Sequence, residues 1–364
     1  MKKMKIFAWT ILLAAGLTAC TDWLTVQPKT EVSKDDMFKS SGGFRDALIG
    51  VYTLMRENNY APNGNLVTGM VEFIANLWYT ESNSESGDFA AHNYRGDAVE
   101  RANGELFLQQ YKTITNLNQM LAYMENGVLS SREYALYKGE ALGLRAYLHF
   151  DLIRLYGPMP MNVQEGRRYL PYETTISLGN YTYSTYNEYM GALIADLDSA
   201  EILLARVDPI ITTSNSVLNT TNEYRQNRMN YYAVLALKAR VYLYAGEQAR
   251  ALDVAKKLLT DPKVNEYFPA VDPTKLLANQ RNPDRVFSTE VLAGIYKKDR
   301  VAVYNSYFSS SSAGNNYLHP RKDFVSTSLF ASETQDYRFQ TWWQVSSGVG
   351  ETGHMLIKYK DIDK

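Results

Sequence analysis

The chain has 364 residues, a net charge of −1 at neutral pH, one cysteine and four histidines. With no cluster of lysines and arginines there is no electrostatic case for nucleic acid, and a lone cysteine permits no intramolecular disulfide. The length suits one large domain or two closely packed ones with ample core, and 28 tyrosines beside 5 tryptophans and 13 phenylalanines suit a surface that stacks on ligands.

From the N-terminus, Lys2, Lys3 and Lys5 precede an apolar run from Ile6 to Leu17, too short to span a bilayer, and Leu17-Thr18-Ala19-Cys20 ends in small residues before cysteine. This pattern is similar to a bacterial lipobox. It predicts a signal peptide over residues 1–19 and lipidation of Cys20, which anchors the chain to a membrane; the bland alternative is an ordinary secretory signal with a chance cysteine. One domain is expected over residues 20–364. No long apolar run follows.

Ser33-Lys34-Asp35-Asp36 supplies a helix cap and an acid at the third helical position, so a helix is predicted over 34–56, striped by Phe44, Leu48, Val51, Tyr52 and Met55. Periodicity is poor over 58–105, which reads as a long loop and the first candidate for a binding surface. Helical spacing returns over 106–124. It is strongest over 134–156, where Leu144, Leu148, Leu152 and Leu155 with Tyr147, Phe150 and Ile153 make a rod apolar nearly all round. Its charges are expected to be satisfied locally, Asp151 by Arg154 and Arg145 by His149, with Glu140 in the first turn and His149 bonded within the helix. Further helices are expected over 185–204 and, as a hairpin turning at Gly246-Glu247, over 231–259. There Ala239, Tyr242, Gly246, Ala251, Ala255 and Pro262 fall at tetratricopeptide-repeat offsets. The fold class is therefore mainly α: a tetratricopeptide-like helix-pair scaffold, an α-α superhelix, with a loop-rich ligand-binding face and a few short strands. The strands are expected at Val286–Ala293, Phe339–Val345 and His354–Tyr359, around a second binding loop over 296–345.

Catalytic signatures are weak. His92, His149, His319 and His354 lack metal-ligand spacing and no G-x-S-x-G is present, so no metal, cofactor or catalytic residue is expected. Glu72, Glu81, Glu85 and Asp88 lie close in sequence and could serve a glycosidase, although solvated charge is the simpler reading. What remains is a stacking constellation, because a sugar offers an apolar C–H face and a rim of hydroxyls. Asn76, Trp78, Tyr79 and Glu81 provide one candidate platform; Tyr304, Tyr307 and Tyr317 a second, with Trp342 or Trp343 beside it. Any of these rings could equally serve the core.

The segments E-A-L-G-L-R-A-Y-L-H-F-D-L-I-R-L-Y-G-P-M-P, T-E-V-S-K-D-D-M-F-K-S-S-G-G-F-R-D-A-L-I-G-V-Y and Y-K-T-I-T-N-L-N-Q-M-L resemble the SusD/RagB family of outer-membrane nutrient-binding lipoproteins. The resemblance implies a non-catalytic glycan receptor, lipid-anchored and facing outward, that captures oligosaccharide and passes it to a SusC-like TonB-dependent transporter docked on the repeat face. Family members usually continue into a further helical stretch, so truncation at the C-terminus is expected. A peptide-uptake receptor, a glycoside hydrolase and a pure repeat adaptor stay open as alternatives.

Overall fold

A computed structural model describes residues 33–57, 66–80, 82, 84–176, 181–213, 224–276, 283–295, 300–309, 318–321, 323–331, 333–346 and 353–360. The expected signal peptide and Cys20 lie outside these residues. The structure is mainly helical, with a tetratricopeptide-like scaffold. Ser33 caps α1 (Lys34–Met37) by accepting from the Asp36 N–H at 3.1 Å. The single helix expected over 34–56 is in fact two: the chain breaks after Met37, and the Ser40 hydroxyl accepts from the Gly43 N–H at 3.3 Å as α2 (Ser41–Glu57) begins. α2 buries Phe44, Leu48, Val51 and Met55.

The region expected to be a loop over 58–105 contains α3 (Met70–Ile74), α4 (Glu85–Ala90) and the first turns of α5 (Asp97–Tyr123). α5 starts well before the expected Leu106 because Val99, Ala102 and Leu106, at i, i+3 and i+7, are all buried on one face. α6 (Ser131–Tyr156) opens with a capping box between Ser130 and Glu133 and is buried almost continuously from Gly139 to Ile153. It packs most extensively on α7 (Tyr186–Val207), and also on α5, α2 and α9 (Tyr231–Tyr244). Gly139 and Gly143 permit this closeness: a Cβ would stand 2.7 Å from Leu204 Cγ at the first and 2.7 Å from Met229 Cγ at the second. A short α8 (Pro209–Thr212) follows α7. The hairpin of α9 and α10 (Gln248–Leu259) turns at Gly246, whose φ of 81° favours glycine. α11 (Pro262–Tyr267), α12 (Pro273–Leu276), α13 (Arg300–Val303) and α14 (Tyr337–Trp342) complete the described α-helices.

Two antiparallel two-stranded sheets are present among the described residues, β1 (Arg168–Pro171) with β2 (Tyr183–Thr185) and β3 (Trp343–Ser346) with β4 (Gly353–Leu356). The expected strand at Val286–Ala293 is absent. Phe287 takes left-handed backbone, φ 54°, and a 3₁₀ turn, Ser288–Glu290, follows. The first half of the expected strand at Phe339–Val345 is helical instead, because Asp336 caps α14 by accepting from the Arg338 N–H at 2.8 Å.

Long-range pairing also replaces the expected local satisfaction of charge on α6. Glu140 lies mid-helix and is buried, not in the first turn; it accepts from Arg225, from Arg228 Nε at 2.7 Å and from the Tyr52 hydroxyl at 2.8 Å. Arg225 in turn meets Asp208 through two bonds of 2.9 and 2.8 Å. Arg145 does not serve His149; its Nε and Nη2 each reach Asp196 on α7 at 2.7 Å. His149 bonds outside its helix, to the Tyr189 hydroxyl at 2.9 Å, and stacks on Tyr172 at 3.9 Å. Of the expected local pairs, only Asp151 and Arg154 meet within the helix.

A large core joins α2, α5, α6, α7 and α9. A second core joins α3, α4 and the start of α5 to the C-terminal part of the described chain, through Met70, Phe73, Trp78, Phe89, Leu106, Tyr304, Phe308 and Leu356. The two segments singled out as binding loops therefore meet. Among the described residues no helix is long and apolar enough to cross a membrane.

Candidate functional site

The meeting line of the two segments is an isolated antiparallel bridge between Trp78 and Pro320, and the Tyr79 N–H donates to the His319 carbonyl at 2.8 Å. Alternation along extended backbone then decides what each side chain does. Trp78 points inward and is 5% exposed, 5.4 Å from Phe308 and 6.1 Å from Trp343 between ring centroids. Tyr79 points outward and is 54% exposed, lying nearly parallel to the His319 ring at 5.1 Å. On the same face Arg321 Nη2 donates to Asn76 Oδ1 at 3.1 Å. A second stacked pair, His92 and Tyr94 at 6.1 Å, is tied to this surface because His92 Nε2 lies 3.4 Å from the Ile74 carbonyl. Asn76 and His92 both hold left-handed backbone, φ 54° and 55°, a conformation that strains side-chain-bearing residues and is tolerated where the surroundings fix it.

The expected platforms are thus only partly available. Trp78 cannot act as an exposed platform, because its indole fills the second core and donates to Glu72 Oε2 at 2.8 Å. Tyr304 is likewise buried, its hydroxyl turned to Met355 Sδ at 3.6 Å. Tyr307 is half-buried and packs on the second core. Trp342 stacks on Phe287 and gives its indole N–H to the Arg285 carbonyl at 2.5 Å, and Trp343 leans on Trp78; both are half-buried. Glu81 and Tyr317 lie outside the described residues. Asn76 and Tyr79 are the expected residues that reach the surface together. His319, Arg321, His92 and Tyr94 were not singled out for this face; the alternation of inward Trp78 with outward Tyr79 becomes informative only once the Pro320 bridge is known.

Glu72, on α3, does not pair with another carboxylate in the described structure. Burial pushes its carboxyl above the ordinary range, while the Trp78 hydrogen bond and the Lys358 charge pull it back. Burial lowers Lys358, with Glu72 opposing. Among the described residues no group of three or more histidine, cysteine, aspartate or glutamate side chains is placed to hold a metal ion. The face offers flat rings, imidazoles, an amide and a guanidinium, which suits stacking and hydrogen bonding.

A separate cavity of about 760 Å³ opens between α2 and the Tyr224–Arg228 segment, with Tyr52, Ile49 and Ile295 among its walls. Its cations are committed, Arg228 to Glu140 and Arg56 to Glu57, and nothing in the structure shows what covers it.

Residues 22–243 match a family model, SusD-like, described as starch-binding and associating with the outer membrane. The match takes in more than half of the chain. The chain belongs to the SusD-like family. It is 19% identical over 312 residues to SusD-like protein P25 of Formosa agariphila, covering 80% of this chain and 51% of that protein, so it spans about half the length of that curated relative. Its SusD-like fold is also that of a sugar-binding protein from Bacteroides vulgatus, described as putative, with a TM-score of 0.63 at 18% identity over 88% of this chain and 68% of that one. Surface glycan-binding protein A of Bacteroides uniformis gives 0.64 at 17% identity, with 89% of this chain and 70% of that one covered. At these identities the solved structures speak for the fold alone.

Proposed function

We propose that this SusD-like chain is a cell-surface glycan receptor that binds oligosaccharide without cleaving it and passes it to a SusC-like TonB-dependent transporter. The observation that carries this reading is the exposed Tyr79 ring, stacked on His319 beside the Asn76–Arg321 pair, with the stacked His92–Tyr94 pair joined to α3 through the Ile74 carbonyl. A sugar ring lays its C–H face on Tyr79 while its hydroxyls take hydrogen bonds from the amide, guanidinium and imidazole groups around it. The names of the relatives, which speak of starch, sugar and glycan, support the ligand class. Cys20 carries the lipid anchor, the chain faces outward, and the transporter docks on the helix-pair scaffold. Residues 20–364 act as one functional domain.

The test is calorimetric titration of the chain beginning after Cys20 with plant and host oligosaccharides, repeated with Tyr79→Ala and followed by chromatography of the sugar. Saturable binding, weakened about tenfold or more in the variant and leaving the sugar intact, is expected. Equal affinity in the variant, or released product, refutes the reading; binding of peptides in place of every sugar redirects it to peptide uptake.

A further inference from the structure

The residue immediately before Tyr79 gives its indole N–H to a carboxylate on α3. Glu72 projects from α3 toward the second core, and its Oε2 accepts the indole N–H of Trp78, the residue immediately before Tyr79. Trp78 is pinned on its other sides by Phe308, Trp343 and the Pro320 bridge. The same carboxylate attracts Lys358, in the segment just after β4, whose ammonium lies 4.5 Å from the centre of the Trp342 ring. Glu72 thus ties α3 to the extended residues carrying Tyr79, and the charge of Lys358 in the C-terminal segment acts on it. An apolar residue would fill this place without the cost of burying charge, and a buried charge that is retained tends to fix one arrangement among several.

Among the described residues, His92 lies against α3 with its Nε2 3.4 Å from the Ile74 carbonyl, and His319 adjoins the Pro320 that bridges Trp78. Lys358 and the Tyr359 phenol come from the C-terminal segment, and Tyr359 is itself pushed up to about 12 by burial and then by Glu72. α4, packed against α3, carries Glu85, whose charge acts on Tyr307, and Asp88, which accepts from the Asn93 amide at 3.0 Å.

We infer that Glu72 is the positioning residue of the stacking face: its carboxylate, bonded to the Trp78 indole, fixes Tyr79 against His319, and saccharide binding weakens in acid. This rests on the glycan reading of the same face. The sign follows from the environment. Glu72 takes up its proton at a higher pH than an ordinary glutamate, so mild acid neutralises it, the attraction to Lys358 is lost, and the Trp78–Tyr79 segment loosens.

The experiment has two arms on the chain beginning after Cys20. In the first, the Trp78 indole N–H resonance is followed by NMR without ligand from about pH 7.5 to about pH 4.5, a range that spans an upward-shifted carboxyl. It titrates in the wild type and stays flat in Glu72→Gln, which keeps an acceptor but no charge. In the second, the affinity for the tightest oligosaccharide of the panel is measured over the same range. The loss in acid is at least about threefold larger in the wild type than in Glu72→Gln; in Glu72→Ala the affinity is reduced about tenfold throughout, with Tyr79→Ala as the reference for a lost platform. A Trp78 resonance that ignores pH in the wild type overturns the proposal, as does a Glu72→Ala variant that binds like the wild type. If no sugar binds the wild type, or Tyr79→Ala binds as well as it, the glycan reading fails, and the NMR arm still decides whether Glu72 holds Trp78.

Discussion

Replacing Glu140 by alanine should be among the most damaging single changes in the scaffold. The carboxylate is 1% exposed and accepts from Arg225, Arg228 and the Tyr52 hydroxyl, while Asp208 balances the second of the two guanidinium charges. Removing it leaves the buried Arg225 and the partly buried Arg228 facing one carboxylate, together with a phenol stripped of its acceptor. Breaking a buried pair in this way costs about 3–5 kcal/mol, a large share of the roughly 5–15 kcal/mol that holds a typical domain together. Glu140→Gln keeps one acceptor oxygen but leaves the same charge imbalance and sets an amide N–H against an arginine donor, so a loss of the same order, about 3–5 kcal/mol, is expected. The assay is equilibrium urea unfolding followed by tryptophan fluorescence. A loss below about 1 kcal/mol in Glu140→Ala would refute the reasoning, since it would mean that water reaches the pair and screens it. The pH dependence has a definite sign. Burial alone would raise Glu140, but Arg225 and Arg228 outweigh it and hold the carboxyl below its ordinary value of 4.5. Its contribution is therefore fully present above that value and is lost as the pH falls through the lower, folded one. The wild type should lose this increment in acid, and Glu140→Gln should not.

Trp78→Ala should destabilise the fold by about 3–5 kcal/mol as a core truncation, whereas Tyr79→Ala should stay within about 0.5 kcal/mol; thermal unfolding separates the two. Gly143→Ala puts a methyl group 2.7 Å from Met229 Cγ and should cost about 1–3 kcal/mol by the same measurement. His149 is fully buried, and desolvation lowers its pKa from 6.5 to about 3, so the folded state keeps the imidazole neutral while the unfolded chain binds a proton. Stability should fall by up to about 1.4 kcal/mol per pH unit from this residue alone as the pH drops below 6.5, until about 3 is reached, and His149→Gln should remove that slope.

Where one helix face meets one core, the linear chain carries enough to place the element, because the apolar period is local. The unbroken burial of α6 follows from leucines and aromatics on every side, and the turn at Gly246 from a residue free to take positive φ. Partnership of charges is different in kind. Glu140 and Arg225, or Arg145 and Asp196, are brought together by the packing of separate helices, and no spacing rule within α6 points to them. The local rule picked Arg145 with His149 because i,i+4 neighbours are all a single helix offers. It succeeded only for Asp151 and Arg154, at the end of α6, where Arg154 is partly exposed.

The site divides along the same line. Composition drew attention to two segments, since each is dense in aromatics, and the structure closes them on one another through Trp78 and Pro320. It could not say which rings face in. A segment that must build a core and present a surface at once needs aromatics for both tasks, and their assignment is set by strand alternation about a bridge to a residue more than two hundred positions away. Trp78 and Tyr79 show how sharp that assignment is: one is 5% exposed and the other 54%, though they are consecutive. On the proposed glycan reading, a substitution at either position weakens ligand binding, and a loss of stability is expected only at the inward one.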